Sequence, residues 1–143
     1  MEIESKEARK NITFWCFTLS TFLLLIFIIQ TVNGKFEDKL SDAWLWISPN
    51  IFPFLGLVSG GYLLNTTEIN NTTVDRFYYR LSLYFTIFYF VILFITIMFY
   101  PLSDNSILEH YRKANIYLVP IQSIVNGLLG LFFVKGNKAV HNE

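Results

Sequence analysis

Four long apolar segments constrain the fold of this chain more than any other feature. They span residues 11–32, 43–64, 77–100 and 116–134, and apart from Arg80 they contain no charged residue and no histidine. At 1.5 Å per residue, a helix of about 20 residues matches a hydrocarbon core about 30 Å thick. A strand of a membrane barrel would be shorter and would alternate in polarity. The sequence therefore predicts four transmembrane helices.

The composition favours an all-α integral membrane protein. Mean hydropathy is +0.43, and 15% of the 143 residues are charged, whereas soluble domains carry about 25%. We therefore expect one domain over residues 1–143, a bundle of four transmembrane helices with short loops and no soluble domain. The apolar core of the first segment, residues 14–29, is longer than that of a cleaved signal peptide, so we expect this segment to be retained.

Basic residues near the segment ends predict the orientation, because cytoplasmic loops of membrane proteins carry more Lys and Arg. With four spans, the side that holds the termini has Lys6, Arg9, Lys10, Arg76, Arg80, Lys135 and Lys138, and the opposite side has Lys35, Lys39, Arg112 and Lys113. Both termini are therefore predicted to be cytoplasmic, in a plasma membrane or a bacterial inner membrane. Asn-x-Thr sequons begin at Asn11, Asn65 and Asn71, and glycosylation at Asn71 would mean the opposite orientation.

The second segment combines residues that weaken a helix with residues that favour close helix packing. Pro49 and Pro53 have no backbone N–H to donate. Carbonyl groups of the preceding turn therefore lose their hydrogen bonds, which predicts a kink. Such groups are tolerated at membrane depth where other helices, hydroxyl groups or water satisfy them, and Asn50 lies between the two prolines. Gly56 and Gly60 form a GxxxG motif that lets another backbone approach closely. This segment is therefore predicted to be kinked and buried against protein.

The fourth segment carries a second pattern of polar and small residues. Gln122 and Asn126 lie one helical turn apart, Ser123 and Gly127 form a further small-xxx-small pair, and Pro120 predicts another kink. An amide without a hydrogen-bond partner costs several kcal/mol in hydrocarbon. The stripe is therefore expected to face protein or water.

Different interpretations of Asn50, Gln122 and Asn126 stay open at this point. The three amides either form interhelix hydrogen bonds within one bundle, or they line a hydrated polar path inside the protomer or around an oligomer axis. Because four helices enclose little space, a conducting path would need several copies around an axis. The stripe is also suited to be a docking face for another membrane subunit.

No pattern in the chain predicts an enzyme or a cofactor site. Intramembrane catalysis and proton coupling generally need ionisable groups at depth, and no zinc-binding, phosphate-loop or nucleophile motif is present. The 11 acidic and 11 basic residues balance, so there is no field that would attract nucleic acid. We expect no catalytic residue, no metal, no cofactor and no nucleic-acid partner.

The function expected from the sequence is non-enzymatic. The leading hypothesis is a small multi-pass membrane protein that self-associates or joins a membrane complex through its second and fourth segments, in its more specific form an oligomeric pore or membrane-permeabilising effector. The alternative is a non-conducting accessory or anchoring subunit of a larger membrane complex. A more distant alternative is a small-molecule carrier that uses Asn50, Gln122 and Asn126. The expected partners are the lipid bilayer and either further copies of the chain or another membrane protein.

Overall fold

Four α-helices dominate the structure, a computed structural model that describes residues 2–36, 39–65, 73–99 and 106–135. The helices are α1 (Ser5–Val32), α2 (Leu40–Asn65), α3 (Arg76–Phe99) and α4 (Ile107–Lys135). Two strands of three residues, β1 (Glu2–Glu4) and β2 (Thr73–Asp75), form an antiparallel pair that the sequence patterns do not predict. The sequon at Asn71 and the basic residue Lys138 lie outside the described residues.

The helices form a bundle in which α1 and α4 each pack against both α2 and α3. The β1–β2 pair holds the starts of α1 and α3 together at one end of this bundle. Along the same pair of helices, Asn11 contacts Tyr79, and further on Phe22 contacts Phe94. α1 and α3 therefore run in the same direction, and α2 is the segment that returns between them.

Three of the described helices are long and apolar enough to cross a membrane, within Ser5–Val32, Arg76–Phe99 and Glu109–Phe133. These three helices indicate a membrane protein. α2 is not among them, so the prediction of four spans is supported for three helices only. Pro49, Asn50 and Pro53, together with the serines and glycines of α2, interrupt the apolar residues of this 26-residue helix.

Apolar side chains cover the outside of the bundle, and several polar side chains lie inside it. All four helices expose large apolar residues, among them Phe14, Phe52, Leu63, Phe88 and Ile116. The buried uncharged polar residues are Ser5, Ser20, Asn50, Ser82, Thr86 and Thr96. Water disfavours large exposed apolar surfaces, whereas lipid tails do not. This distribution therefore fits a bundle that is surrounded by lipid.

α4 begins at Ile107, ahead of the predicted start of the fourth segment at residue 116. Ser106 Oγ accepts a hydrogen bond from the backbone N–H of Glu109 at 3.4 Å. Glu109 also forms an ion pair with Lys113 at 2.8 Å, one turn later on the exposed face. These polar contacts are typical of the start of a helix. The apolar pattern alone predicts a later start because these residues lie outside the apolar segment.

Candidate helix-association site

The proline-containing part of α2 receives a hydrogen bond from α4. Because Pro53 has no N–H, the carbonyl oxygen of Pro49, one turn earlier, lacks its usual helical donor. The side-chain amide of Gln122 on α4 donates to this oxygen at 2.7 Å. A side chain of α4 thus replaces the backbone hydrogen bond that proline removes.

Asn50 links the same part of α2 to α3. Its side chain is buried, and its Nδ2 donates to the carbonyl oxygen of Trp46 at 2.7 Å. The hydroxyl of Tyr89 on α3 donates towards Asn50 Oδ1 at 2.9 Å and towards the Asn50 carbonyl oxygen at 3.1 Å. The Tyr89 ring also packs against Phe54, with 4.8 Å between the ring centroids. Both ends of the buried Asn50 amide therefore have partners.

Further side-chain hydrogen bonds join α4 to its two neighbours. Trp46 Nε1 donates to Asn115 Oδ1 at 2.9 Å, and the Trp46 ring stacks on Tyr111 with ring centroids 4.0 Å apart. On the other side of α4, the hydroxyl groups of Thr96 and Tyr117 lie 3.0 Å apart. Interhelix hydrogen bonds between polar side chains are a main source of helix association in lipid.

The structure places Asn50 and Gln122 in interhelix hydrogen bonds. Asn126, one turn beyond Gln122, does not join them: its side-chain oxygen is buried and has no hydrogen-bond partner within the described part of the chain. The bonds formed by Asn50 and Gln122 favour the interpretation in which amides join helices over the one in which they line a path. Asn126, which forms no such bond, leaves the path interpretation open.

Gly56 and Gly60, the predicted packing motif of α2, are open in the protomer. A Cβ atom added at either glycine would meet nothing within 4 Å. The same is true of Gly127 on α4, and Ser123 is exposed, with its hydroxyl donating to the Val119 carbonyl of its own helix at 2.9 Å. These four predicted packing residues therefore do not bring helices of one protomer together.

The close approach between α2 and α4 occurs instead at Gly61. A Cβ atom at Gly61 would lie 2.7 Å from Cγ of Phe133, closer than non-bonded carbon atoms can come. Three contacts follow one another along the two helices: Trp46 with Asn115, Pro49 with Gln122, and Gly61 with Phe133. α2 and α4 therefore run in the same direction and meet along one seam.

The open small residues border this seam on its outer side. Gly60 precedes Gly61, which meets α4, and Ser123 follows Gln122, which bonds to α2. Since successive helical residues are about 100° apart, each small-residue stripe lies beside the contact line and away from the core. We call this surface the α2/α4 face; it consists of Gly56, Gly60, Ser123 and Gly127.

The three predicted kink residues lie inside helices and not at their ends. Pro49 and Pro53 are in α2, Pro120 is in α4, and all three are exposed. Both helices continue through their prolines as α-helix, so the prolines do not terminate them. The kinks themselves stay predictions.

Sequence analysis missed three residues that matter in this structure: Asn115, Gly61 and Arg9. Asn115 lies just before the predicted fourth segment, although it continues the spacing of Leu118 and Gln122 on one helical face. Gly61 lies outside the GxxxG motif of Gly56 and Gly60, so this motif does not indicate it. In the sequence Arg9 is one of the basic residues near a segment end, and no pattern indicates that its side chain is 1% exposed.

The described residues contain no group of three or more His, Cys, Asp or Glu side chains that could hold a metal ion. Cys16 is a buried free thiol. Comparison of the chain with protein-family models, with curated proteins and with solved structures gives no match.

Proposed function

We propose that the chain is a non-enzymatic, multi-pass membrane protein that self-associates through the α2/α4 face. The observation that carries this proposal is that the small-residue stripes on this face are open in the protomer. Lipid supplies no hydrophobic force between apolar helices, so small residues promote association where they let two backbones approach closely. A second copy presents the same surface, which suits a symmetric interface.

The proposal includes α2 as a fourth membrane-crossing helix. If α1 and α3 both cross the bilayer in the same direction, the chain between them must return across it. α2 is long enough to do so, since 26 residues span about 39 Å at 1.5 Å per residue. Its polar groups have hydrogen-bond partners within the bundle. Gln122 donates to the Pro49 carbonyl oxygen, and the Tyr89 hydroxyl donates to Asn50.

The proposed orientation places the β1–β2 pair on the cytoplasmic side. This end of the bundle carries the starts of α1 and α3, where Lys6, Arg9, Lys10, Arg76 and Arg80 lie. An excess of Lys and Arg near the membrane marks the cytoplasmic side of multi-pass proteins. The plasma membrane or a bacterial inner membrane is the proposed location.

An oligomeric pore is the second candidate function, and Asn126 is the observation that favours it. Its side-chain oxygen has no hydrogen-bond partner in the residues that the structure describes, and it follows Gln122 by one turn near the α2/α4 seam. Copies arranged around an axis through this face would bring several Asn126 residues together. A non-conducting scaffold, by contrast, needs only the small-residue contact.

The test of self-association uses the full chain in lipid nanodiscs or vesicles, with association measured by energy transfer between labelled copies. Gly56→Leu with Gly60→Leu should weaken association at least about tenfold, which corresponds to about 1.4 kcal/mol. Thr21→Leu, a change to the same residue at an exposed position on α1, is the matched control and should leave association unchanged. Wild-type association in the glycine variant would disprove the proposed face.

Ion leakage from vesicles separates the two candidate functions. A pore should release a trapped ion gradient, and Asn126→Leu should lower that release while association persists. A scaffold should associate and leave the gradient intact. Monomeric chains in lipid at all accessible densities would remove both candidates.

A further inference from the structure

Arg9 on the second turn of α1 is a charged side chain enclosed by the bundle. It is 1% exposed, and Nε and both terminal nitrogen atoms have no hydrogen-bond acceptor among residues 2–36, 39–65, 73–99 and 106–135. The guanidinium carbon lies 5.9 Å from the ring centroid of Phe133 on α4. A cation–π contact attracts the charge, but it does not satisfy the five N–H groups that a guanidinium can donate.

This side chain cannot escape its cost by losing a proton, because arginine stays protonated in proteins. A buried charge is strongly unfavourable unless a partner of opposite charge accompanies it. Ser5, one turn earlier on the same face of α1, is also fully buried, and its hydroxyl has no partner in the described part of the chain. The two residues therefore offer several donors and one positive charge. The group that complements them is an anion rich in acceptor oxygens.

Arg9 lies at the depth of lipid phosphate groups in the proposed membrane placement. The uncharged stretch of the first segment begins two residues later, at Asn11. α1 has 28 residues and spans about 42 Å, whereas the hydrocarbon core is about 30 Å thick and the whole bilayer about 40–45 Å. The first turns of α1 therefore extend into the headgroup region.

A cavity opens at the same end of the bundle. Its volume is about 190 Å³, and its lining includes Val74 of β2, Ser82 of α3 and Phe132 of α4, next to Phe133. Asp75, which also lines it, is exposed and accepts a hydrogen bond from the backbone N–H of Phe77 at 2.9 Å. This cavity lies on the α3–α4 side of the bundle end that holds Arg9, and neither Arg9 nor Ser5 is among its lining residues.

We propose that Arg9 and Ser5 bind a phosphate-type oxyanion at this end of the bundle. The guanidinium fork donates two parallel hydrogen bonds to such a group, and the Ser5 hydroxyl donates a third. A phosphodiester of an anionic lipid and free inorganic phosphate share these acceptor oxygens, and the lipid group is already held at the depth of Arg9. The inference rests on the membrane placement and not on self-association through the α2/α4 face.

The test measures the thermal unfolding midpoint of the full chain in micelles of dodecyl maltoside, a detergent that contains no phosphate. One arm adds phosphatidylglycerol to these micelles, and the other replaces sodium chloride by sodium phosphate at matched ionic strength. The wild-type midpoint should rise in at least one arm. A rise with phosphatidylglycerol alone identifies the lipid headgroup as the ligand, and a rise with phosphate identifies the free anion.

Arg9→Met should abolish this rise, while Lys10→Met, which removes an exposed charge from the next position, should retain it. In micelles without phosphatidylglycerol or phosphate, Arg9→Met should be at least as stable as wild type, because it removes an unpaired buried charge. Ser5→Ala should weaken the apparent affinity about tenfold or more, as expected for one hydrogen bond to a charged acceptor. A wild-type protein that responds to neither probe, or an Arg9→Met variant that responds like wild type, would overturn the proposal.

Discussion

At the scale of single residues, the polar groups inside the bundle matter because lipid cannot replace a lost partner. Asn50 and Gln122 were identified from the sequence, since an amide at membrane depth has few alternatives to a protein partner. Their partners were not identified: the position of Tyr89 opposite Asn50 depends on how α3 is turned against α2. Sequence spacing defines a face of a helix, but it does not say which helix that face meets.

Removal of the Tyr89 hydroxyl should destabilise the bundle. Tyr89→Phe leaves the buried side-chain oxygen of Asn50 without its donor, and we expect a loss of about 1 kcal/mol in the free energy of unfolding. Reversible unfolding in mixed micelles with sodium dodecyl sulfate measures this quantity. Tyr84→Phe is the matched control, because Tyr84 is 70% exposed on the same helix. Equal effects of the two changes would show that the Tyr89–Asn50 contact contributes nothing.

The glycines of α2 should differ in their response to the same substitution. Gly61→Ala places a methyl group 2.7 Å from Cγ of Phe133 and should destabilise the protomer by about 1–3 kcal/mol. Gly56→Ala meets nothing within 4 Å and should stabilise the protomer by up to about 1 kcal/mol through helix propensity. The same unfolding assay on dilute protein compares them. A Gly61→Ala protein as stable as Gly56→Ala would mean that the seam is not closely packed.

At the scale of helices, α2 is the element that the sequence describes least completely. The apolar segments predict all four helices. The early start of α4 and the β1–β2 pair depend on short polar stretches, whose patterns are too weak to predict them. The role of the prolines was predicted in general terms: freed carbonyl groups need a donor. The register of the α2–α4 seam makes Gln122 of α4 this donor. No local sequence pattern contains that register.

A double-mutant cycle tests this replacement of a backbone hydrogen bond. Gln122→Leu should cost about 1 kcal/mol in the wild-type background, because the Pro49 carbonyl oxygen loses its donor. In a Pro53→Ala background the alanine N–H supplies the donor, so the same change should cost clearly less. Pro49→Ala is the control background, since its N–H serves residue 45 instead. An identical cost in all three backgrounds would contradict the proposed exchange.

At the scale of the whole molecule, the bundle has an apolar exterior, a partly polar interior and one outer face of small residues. The membrane class was predicted from composition and segment length, which are properties of the chain as a whole. The sequence does not predict that the α2/α4 face is open in the protomer. A small-residue motif does not distinguish packing within a protomer from packing between protomers. The two cases differ here because Gly61, and not Gly56 or Gly60, occupies the α2–α4 contact.

The membrane path of α2 is tested most directly by the sidedness of its flanking residues. In a Cys16→Ala background, single cysteines at Glu4, Lys39 and Thr73 would be labelled in sealed vesicles with a maleimide that does not cross the membrane. If α2 crosses the bilayer between α1 and α3, the cysteines at positions 4 and 73 react on one side and the cysteine at position 39 reacts on the other. Labelling of positions 39 and 73 on the same side, opposite position 4, would show that α2 does not cross.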